Sequence, residues 1–353
     1  MSNKSLDNKC PACRAVITWN PKINKFKCEY CDSEFTLEEM KLHVNASTDE
    51  VNLGTLGDDT QYDSYKCPDC GAEIVTDEHT AATFCIYCGN VAILKNKLQG
   101  KFAPTKIIPF KSTKEEAIEA FKSVTKGKIL APKEFNNIKN IEKITGVYIP
   151  FWLFNFKIDG DVTVVGRKVT SWIRGDVAYT KTDTYHAYRS CEMDFIRVPV
   201  DGSTKFDNDI MNSIEPFNYN ELEDYNHSYL SGFFAEKYDV DWEGSFKEAQ
   251  ERTLNSANEL VMNDITGYTS KTILNNNLKT NLTQKEYTLL PVWMVNVKYK
   301  DKYYIFAMNG QTKEFIGNIP IDIKKTIIFT ILVFFASFLI FIIGSYIIFI
   351  LGW

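Results

Sequence analysis

Residues 150–157 read PFWLFNFK and residues 291–298 read PVWMVNVK, so the pattern P-x-W-x-x-N-x-K occurs twice at an offset of 141. In the first copy Trp152, Phe154, Phe156 and Ile158 alternate with Asn155 and Lys157. In the second, Trp293, Val295, Val297 and Tyr299 alternate with Asn296 and Lys298. Successive side chains of a strand point to opposite faces, so this period of two predicts a half-buried strand in each copy. Turn signals follow at matching places, Asp159-Gly160 and Lys300-Asp301, with new alternating runs after them, DVTVVGRKVT and KYYIFAM. Each unit is therefore expected to open as a β-hairpin. Asn309-Gly310 turns the second unit into a third strand at residues 315–317, and the first unit carries an extra β segment at 172–200.

A helix is expected ahead of each copy. Ser112-Thr113-Lys114-Glu115 stands before Ala117, Ile118, Phe121 and Val124, and Ser245-Phe246-Lys247-Glu248 before Ala249, Leu254, Ala257, Leu260 and Val261. Both read as capping boxes opening amphipathic helices that pack on a sheet. Asp239 and Asp241 are expected to end a turn before the second helix. Residues 101–320 thus read as a duplicated unit, with copies at about 101–200 and 240–320. Convergence on a short strand motif is the alternative.

Toward the N-terminus, Cys10, Cys13, Cys28 and Cys31 recur 57 residues later as Cys67, Cys70, Cys85 and Cys88, two copies of C-x2-C-x14-C-x2-C. A C-x2-C pair aims two thiolates at one ion from a tight turn, and a short hairpin returns the second pair to complete a tetrahedral sulfur shell. Two structural zinc ions are expected, with no ligand position left open for Lewis-acid chemistry. Glycine follows both pairs of the second copy, at Gly71 and Gly89, whereas the first has Arg14 and Asp32, so its knuckles are expected to be less regular. Disulfides are the rival reading, disfavoured because residues 1–9 hold no apolar stretch to serve as a signal peptide.

At the other end, residues 327–351, IIFTILVFFASFLIFIIGSYIIFIL, carry no charge and are long enough to cross a bilayer as a helix. Lys324 and Lys325 precede this run and only Gly352 and Trp353 follow it, which places the long N-terminal part in the cytosol. The fold class is then α+β: two N-terminal zinc ribbons, a duplicated antiparallel-sheet-plus-helix body and one C-terminal transmembrane helix. The segments are ribbon 1 at 1–45, an acidic linker at 46–64, ribbon 2 at 65–100, the body at 101–320 and the membrane helix at 326–352.

Charge and motifs narrow the function classes. A formal net charge of -5 argues against a body that holds polyanions, and the acidic second ribbon argues the same way. Ribbon 1 is more basic, with Arg14, Lys22, Lys25 and Lys27 around Phe26, so a membrane-tethered nucleic-acid binder is kept as the second reading. His43, His79, His186 and His227 are scattered. His186 and Cys191 lie near each other in sequence without an orienting third group, and the chain has no phosphate-binding loop or nucleophile elbow. No enzymatic activity is expected.

The order of double ribbon, GVYIPFW at 146–152, LSGFFAEKYDVD at 230–241, LPVW at 290–293 and FAMNGQT at 306–312 resembles the TFIIB-type zinc-ribbon proteins of Firmicutes along essentially the whole chain. Some members end in a transmembrane helix and are encoded with a phage-shock-protein-A homologue, an SPFH-domain protein and a TPM-domain membrane protein. Others carry a primosomal-helicase label, which no helicase motif here supports. The family often has glycine after the NGQT run, where this chain has Lys313. The resemblance implies a non-enzymatic scaffold at the cytoplasmic membrane. Its implied partners are the SPFH-domain protein, the phage-shock-protein-A homologue and the TPM-domain protein, in a response to envelope stress.

Overall fold

The structure, a computed structural model, describes residues 9–44, 62–66, 73–77, 80–84, 91–93, 103–136, 144–300 and 302–351. Strands β1 (Ile17–Asn20), β2 (Lys25–Cys28) and β3 (Glu34–Phe35) form a small antiparallel sheet, followed by α1 (Leu37–Val44). β4 (Tyr62–Lys66) pairs with β5 (Glu73–Asp77), and β6 (Thr80–Phe84) with β7 (Val91–Ile93). Then come β8 (Lys106–Ile107), α2 (Lys114–Thr125), β9 (Thr145–Arg174), β10 (Val177–Asp201), α3 (Asn208–Ser213) and β11 (Glu223–Asp224). The chain continues through β12 (Phe234–Glu236), α4 (Trp242–Asp264), β13 (Ser270–Asn276), β14 (Lys279–Tyr299), β15 (Lys302–Asn309), β16 (Phe315–Ile316) and α5 (Ile323–Leu351).

The two tryptophan motifs lie on β9 and β14, the antiparallel pair at the centre of one large sheet. Ile149 stands opposite Leu290, the position 141 residues further along, so the pairing is centred on corresponding residues. The outer edges match as well. β12 runs parallel to β9 at Val147 and Tyr148 before β10 takes over at Phe151; β8 runs parallel to β14 at Thr288 and Leu289 before β15 takes over at Val292.

One set of hydrogen bonds recurs on both sides. Gly202 N–H donates to Pro150 O at 2.8 Å, Gly202 O accepts from the amides of Asp239 and Val240, and Trp152 Nε1 donates to Val240 O at 3.0 Å. Across the sheet Gly310 N–H donates to Pro291 O at 2.8 Å, Gly310 O accepts from the amides of Lys111 and Ser112, and Trp293 Nε1 donates to Ser112 Oγ at 2.9 Å. Val240 and Ser112 each stand just before a helix N-cap, Asp241 for α4 and Thr113 for α2. Each motif tryptophan therefore satisfies its indole at the entry of the helix that precedes the other motif. The helices bury matching rows at a spacing of four, Ala117, Phe121 and Thr125 on α2, and Ser245, Ala249 and Thr253 on α4.

Several local expectations shift for identifiable reasons. The α2 cap is Thr113, paired reciprocally with Glu116, because the Ser112 hydroxyl is bound to Gly310 O and Trp293. α4 begins at Trp242 under an Asp241 cap, which leaves Ser245 buried within the helix. Asp159-Gly160 is no turn: β9 runs on to Arg174, and the reversal falls at Gly175 (φ 62°). Gly160 is needed instead because a Cβ there would lie 2.3 Å from Asn277 O. The second expected hairpin does form, closing at Lys300 (φ 47°), and residues 315–316 add the third strand.

The centre of the sheet is buried on both faces. Tyr148, Trp152, Phe154 and Phe156 share the principal core with Leu289, Trp293, Val295 and Val297. The alternate positions Ile149, Phe151, Leu290 and Val292 pack under Met211, Ile214 and Phe217. This explains why β9 is buried without a break from Tyr148 to Phe154. The ribbon boundaries also blur. β4 starts inside the expected linker, and β6 pairs with β12, so the large sheet runs through the segment assigned to ribbon 2.

Beyond the centre, β9 and β10 continue as a long arm. β13 pairs with it from Val162 to Arg167, and Val162 and Val164 pack on Val261 of α4 and on Ile265, which caps that helix. Residues 167–182 are all exposed, and beyond the bond from the Val169 amide to Thr269 Oγ1 the described residues show a two-stranded tip of roughly 15 Å at about 3.3 Å per residue. Trp172 stacks on Tyr179 there at 5.7 Å, and Ile173 beside them is 78% exposed. Because β14 runs antiparallel to β9, the Lys300 turn and the arm tip lie at opposite ends of the sheet.

Asp201, next to Gly202, is buried, and its Oδ1 has no hydrogen-bond partner. Burial first, then nearby Glu248, raises its carboxyl to about 6. The protonated form is thus favoured by folding, and this contribution, full below the unfolded pKa near 3.9, is lost as pH rises through about 6. Asp201→Asn is expected to raise stability at neutral pH by roughly 1–3 kcal/mol and to flatten the pH dependence between about 4 and 6. Urea unfolding of both proteins at about pH 5 and pH 7.5 checks this, and equal pH slopes would refute it.

Candidate metal centre

Cys10 and Cys13 lie in the turn before β1, Cys28 ends β2, and Cys31 follows in the next turn. The amide of Arg14 donates to Cys10 O at 2.8 Å, and Cys28 N–H donates to Ser33 O at 3.0 Å, which folds each C-x2-C segment into a tight knuckle. Arg14 (φ 63°) and Asp32 (φ 57°) adopt the left-handed conformation expected of glycine at these positions, so the knuckles of the first copy form without it.

The four Sγ atoms lie within 4.8 Å of one another, with Cys10–Cys31 and Cys13–Cys28 both at 3.5 Å. A tetrahedral thiolate shell with bonds of about 2.3 Å has edges of about 3.8 Å, so the set fits a metal ion. The five described cysteines are free thiols. Electrostatics points the same way: Ser33 lowers the Cys31 thiol to about 6, while burial raises Cys10. The Ala15 amide favours the Cys13 thiolate, yet burial and the neighbouring sulfurs push it up to about 12. One sulfur ionises readily and its neighbours then resist a second negative charge, a penalty that a bound cation removes. Cys67, Cys70, Cys85 and Cys88 lie outside the described residues, as does His79.

The first centre is built against the body. Trp19 of β1 donates from Nε1 to Phe110 O at 3.2 Å, and its amide donates to Ser231 O. Trp19 and Phe26 meet Tyr229 edge-on and tilted at 5.0 and 6.4 Å, and Ile17, Trp19, Phe26 and Cys28 belong to the principal core. The sequence signal for this was present: these apolar residues share one face of the β1–β2 hairpin, more than a free ribbon of this size would expose.

Two of the basic residues of this segment meet acidic ones. Lys27 pairs with Asp32 at 3.2 Å and Lys25 with Glu34 at 4.0 Å. His186 and Cys191 sit five residues apart on β10, hence on opposite faces, and burial raises the Cys191 thiol. The structure does not bring them together. Asp241 and Asp239 serve backbone roles, the first capping α4 and the second accepting from Thr204 N–H at 2.8 Å. Lys313 takes φ 68°, so the NGQT turn keeps the geometry that glycine would give it.

α5 carries the apolar run. Within Ile323–Gly344 the most apolar 18-residue window has a mean hydropathy of 2.9 and is not buried, so by length and composition this helix can cross a membrane. Asp322 N–H donates to Leu130 O at 2.8 Å and Lys325 Nζ to Ala131 O at 2.6 Å, tying the start of the helix to the loop after α2. Trp353 is outside the described residues.

No family model and no solved structure matches the chain. The uncharacterized protein YdjG of Bacillus subtilis is 35% identical over 311 residues, covering 74% of this chain and 91% of that protein. With that identity over that span, the chain belongs to the family of YdjG.

Proposed function

We propose that this chain is a non-enzymatic, membrane-anchored zinc-ribbon adaptor. It docks a cytosolic or membrane partner of the SPFH-domain or phage-shock type at the cytoplasmic membrane during envelope stress. The observation that carries this reading is the polarity of the sheet. The apolar helix α5 leaves from the end that holds the loop after α2, and the bare arm with Trp172, Ile173 and Tyr179 ends at the other. With α5 in the bilayer and the N-terminal side cytosolic, the arm stands away from the lipid. Its exposed aromatic tip, and strand edges that have no partner among the described residues, suit capture of a protein.

Each ribbon holds one structural zinc, on Cys10, Cys13, Cys28 and Cys31 in the first and on Cys67, Cys70, Cys85 and Cys88 in the second. Four thiolates leave no open coordination position, which fits a structural ion. The body is a duplicated β-α-β-β unit, a reading supported by the recurring bonds of Pro150, Gly202 and Trp152 with those of Pro291, Gly310 and Trp293. The nucleic-acid reading is the weaker one. The Lys25 and Lys27 ammonium groups already face carboxylates, and Trp19 and Phe26 are buried, which removes two cations and two rings from phosphate and base contacts.

Affinity purification from detergent-solubilised membranes, with metal analysis, tests the adaptor. Wild-type protein is expected to carry about two zinc ions and an SPFH-domain or phage-shock-type partner. Trp172→Ala/Ile173→Ala/Tyr179→Ala is expected to keep the metal and the membrane location while recovering at least about tenfold less partner. Equal recovery by the variant sinks docking through the arm; a wild-type protein with no partner sinks the adaptor itself.

A further inference from the structure

We propose that the end of the body next to α5 is a binding surface for the phosphate headgroups of anionic phospholipids; this rests on the membrane-anchored reading of α5. Three segments far apart in sequence converge there. The loop after α2 supplies Lys126 and Lys128, and the short helix Lys133–Asn136 supplies Lys133. Phe135 of that helix packs on Tyr299 and Tyr304, which brings in Lys300 and Lys302 of the β14–β15 turn. Asp322 and Lys325 bond to Leu130 and Ala131, which brings in Lys324 and Lys325.

Seven lysines therefore gather with three carboxylates, Glu134, Asp322 and, by sequence between Lys300 and Lys302, Asp301, and Asp322 is engaged by the amides of Lys324 and Lys325. Lys128, Lys133 and Lys325 line one open groove of about 340 Å³. Lys325 gives one hydrogen to Ala131 O and retains two for an anion. Ile129 lies at the same groove and is 70% exposed, with Ile321 and Ile323 exposed at the helix entry.

The occupant follows from where α5 goes. A helix apolar from Ile327 onward meets the hydrocarbon within a turn of Lys324, so the groove and Ile129 are held at headgroup depth. Lysines near an anionic leaflet are attracted to it, and an apolar side chain between them enters the acyl boundary. Only Lys324 and Lys325 adjoin the apolar run in sequence; the fold delivers the other five.

The test uses the full chain in nanodiscs of phosphatidylcholine alone or with about a third phosphatidylglycerol. Amide exchange across residues 126–135 is expected to slow by about tenfold in the anionic discs, and Lys126→Gln/Lys128→Gln/Lys133→Gln to lose that difference. Equal exchange in both discs, for a chain that carbonate does not extract from proteoliposomes, overturns the headgroup site and leaves the anchor standing. An equal slowing by inorganic phosphate in neutral discs overturns it in favour of a free anion. Extraction by carbonate fails the anchored reading, and the headgroup site with it.

Discussion

Cys28→Ser is expected to remove one metal ion per chain and to unfold the first ribbon. A serine hydroxyl is neutral at working pH and a poor fourth ligand, and apparent metal-binding energies of about 10–16 kcal/mol normally hold such a module folded. Its own strands are too short to replace that energy, since β1 and β2 have four residues each and β3 has two. The damage should reach the body, because Trp19 and Phe26 lose their places against Phe110 and Tyr229. Loss of packing on this scale costs about 3–5 kcal/mol. Metal analysis together with urea unfolding and near-ultraviolet dichroism measures both effects, and a chelator should reproduce them in the wild type. An ion lost without change in stability or aromatic signal would show that the ribbon holds its fold without metal.

Trp293→Ala and Trp152→Ala are expected to destabilise the body severely and by similar amounts, about 3–5 kcal/mol each. Both indoles are almost fully buried, at 6% and 7% exposure, and both donate a hydrogen bond at a helix entry. Truncation leaves a large cavity beside Phe110 and Phe233 in one case and beside Tyr238 and Tyr287 in the other. It also orphans acceptors, Ser112 Oγ or Val240 O. Urea unfolding of the two variants compares them directly. One severe loss beside one neutral result would mean that the two halves share a pattern without sharing a load.

The strands were legible because their signal is local. Alternation over eight residues needs no knowledge of a partner, and it marked β9, β14 and β15 as strands, although the half-burial it predicted is overturned at the motifs, where a second layer covers the other face. The cysteine spacing was legible for the same reason, since a C-x2-C turn and a short hairpin bring four sulfurs together within about twenty residues. The errors arose where a residue serves something distant. Ser112 looked like a cap, but its hydroxyl belongs to Trp293 and Gly310; Gly160 looked like a turn, but it clears space for Asn277. The cysteine spacing that marks residues 1–45 carries no signal for the body face that Trp19 meets at Phe110.

The sequence by itself determined the α+β class, the first four-cysteine cluster and the apolar helix, because periodicity, short spacing and run length are properties of contiguous chain. Only the tertiary structure decided that each motif tryptophan is satisfied by the helix preceding the other motif, that the first cysteine hairpin packs into the core of the body, and that Lys128, Lys133 and Lys325 share one groove where α5 begins. These arrangements depend on contacts between segments mostly about a hundred or more residues apart, such as Trp152 with Val240, Trp293 with Ser112 and Lys325 with Ala131. Burial of the two sheet faces selects among the possible pairings, and no local pattern carries that choice.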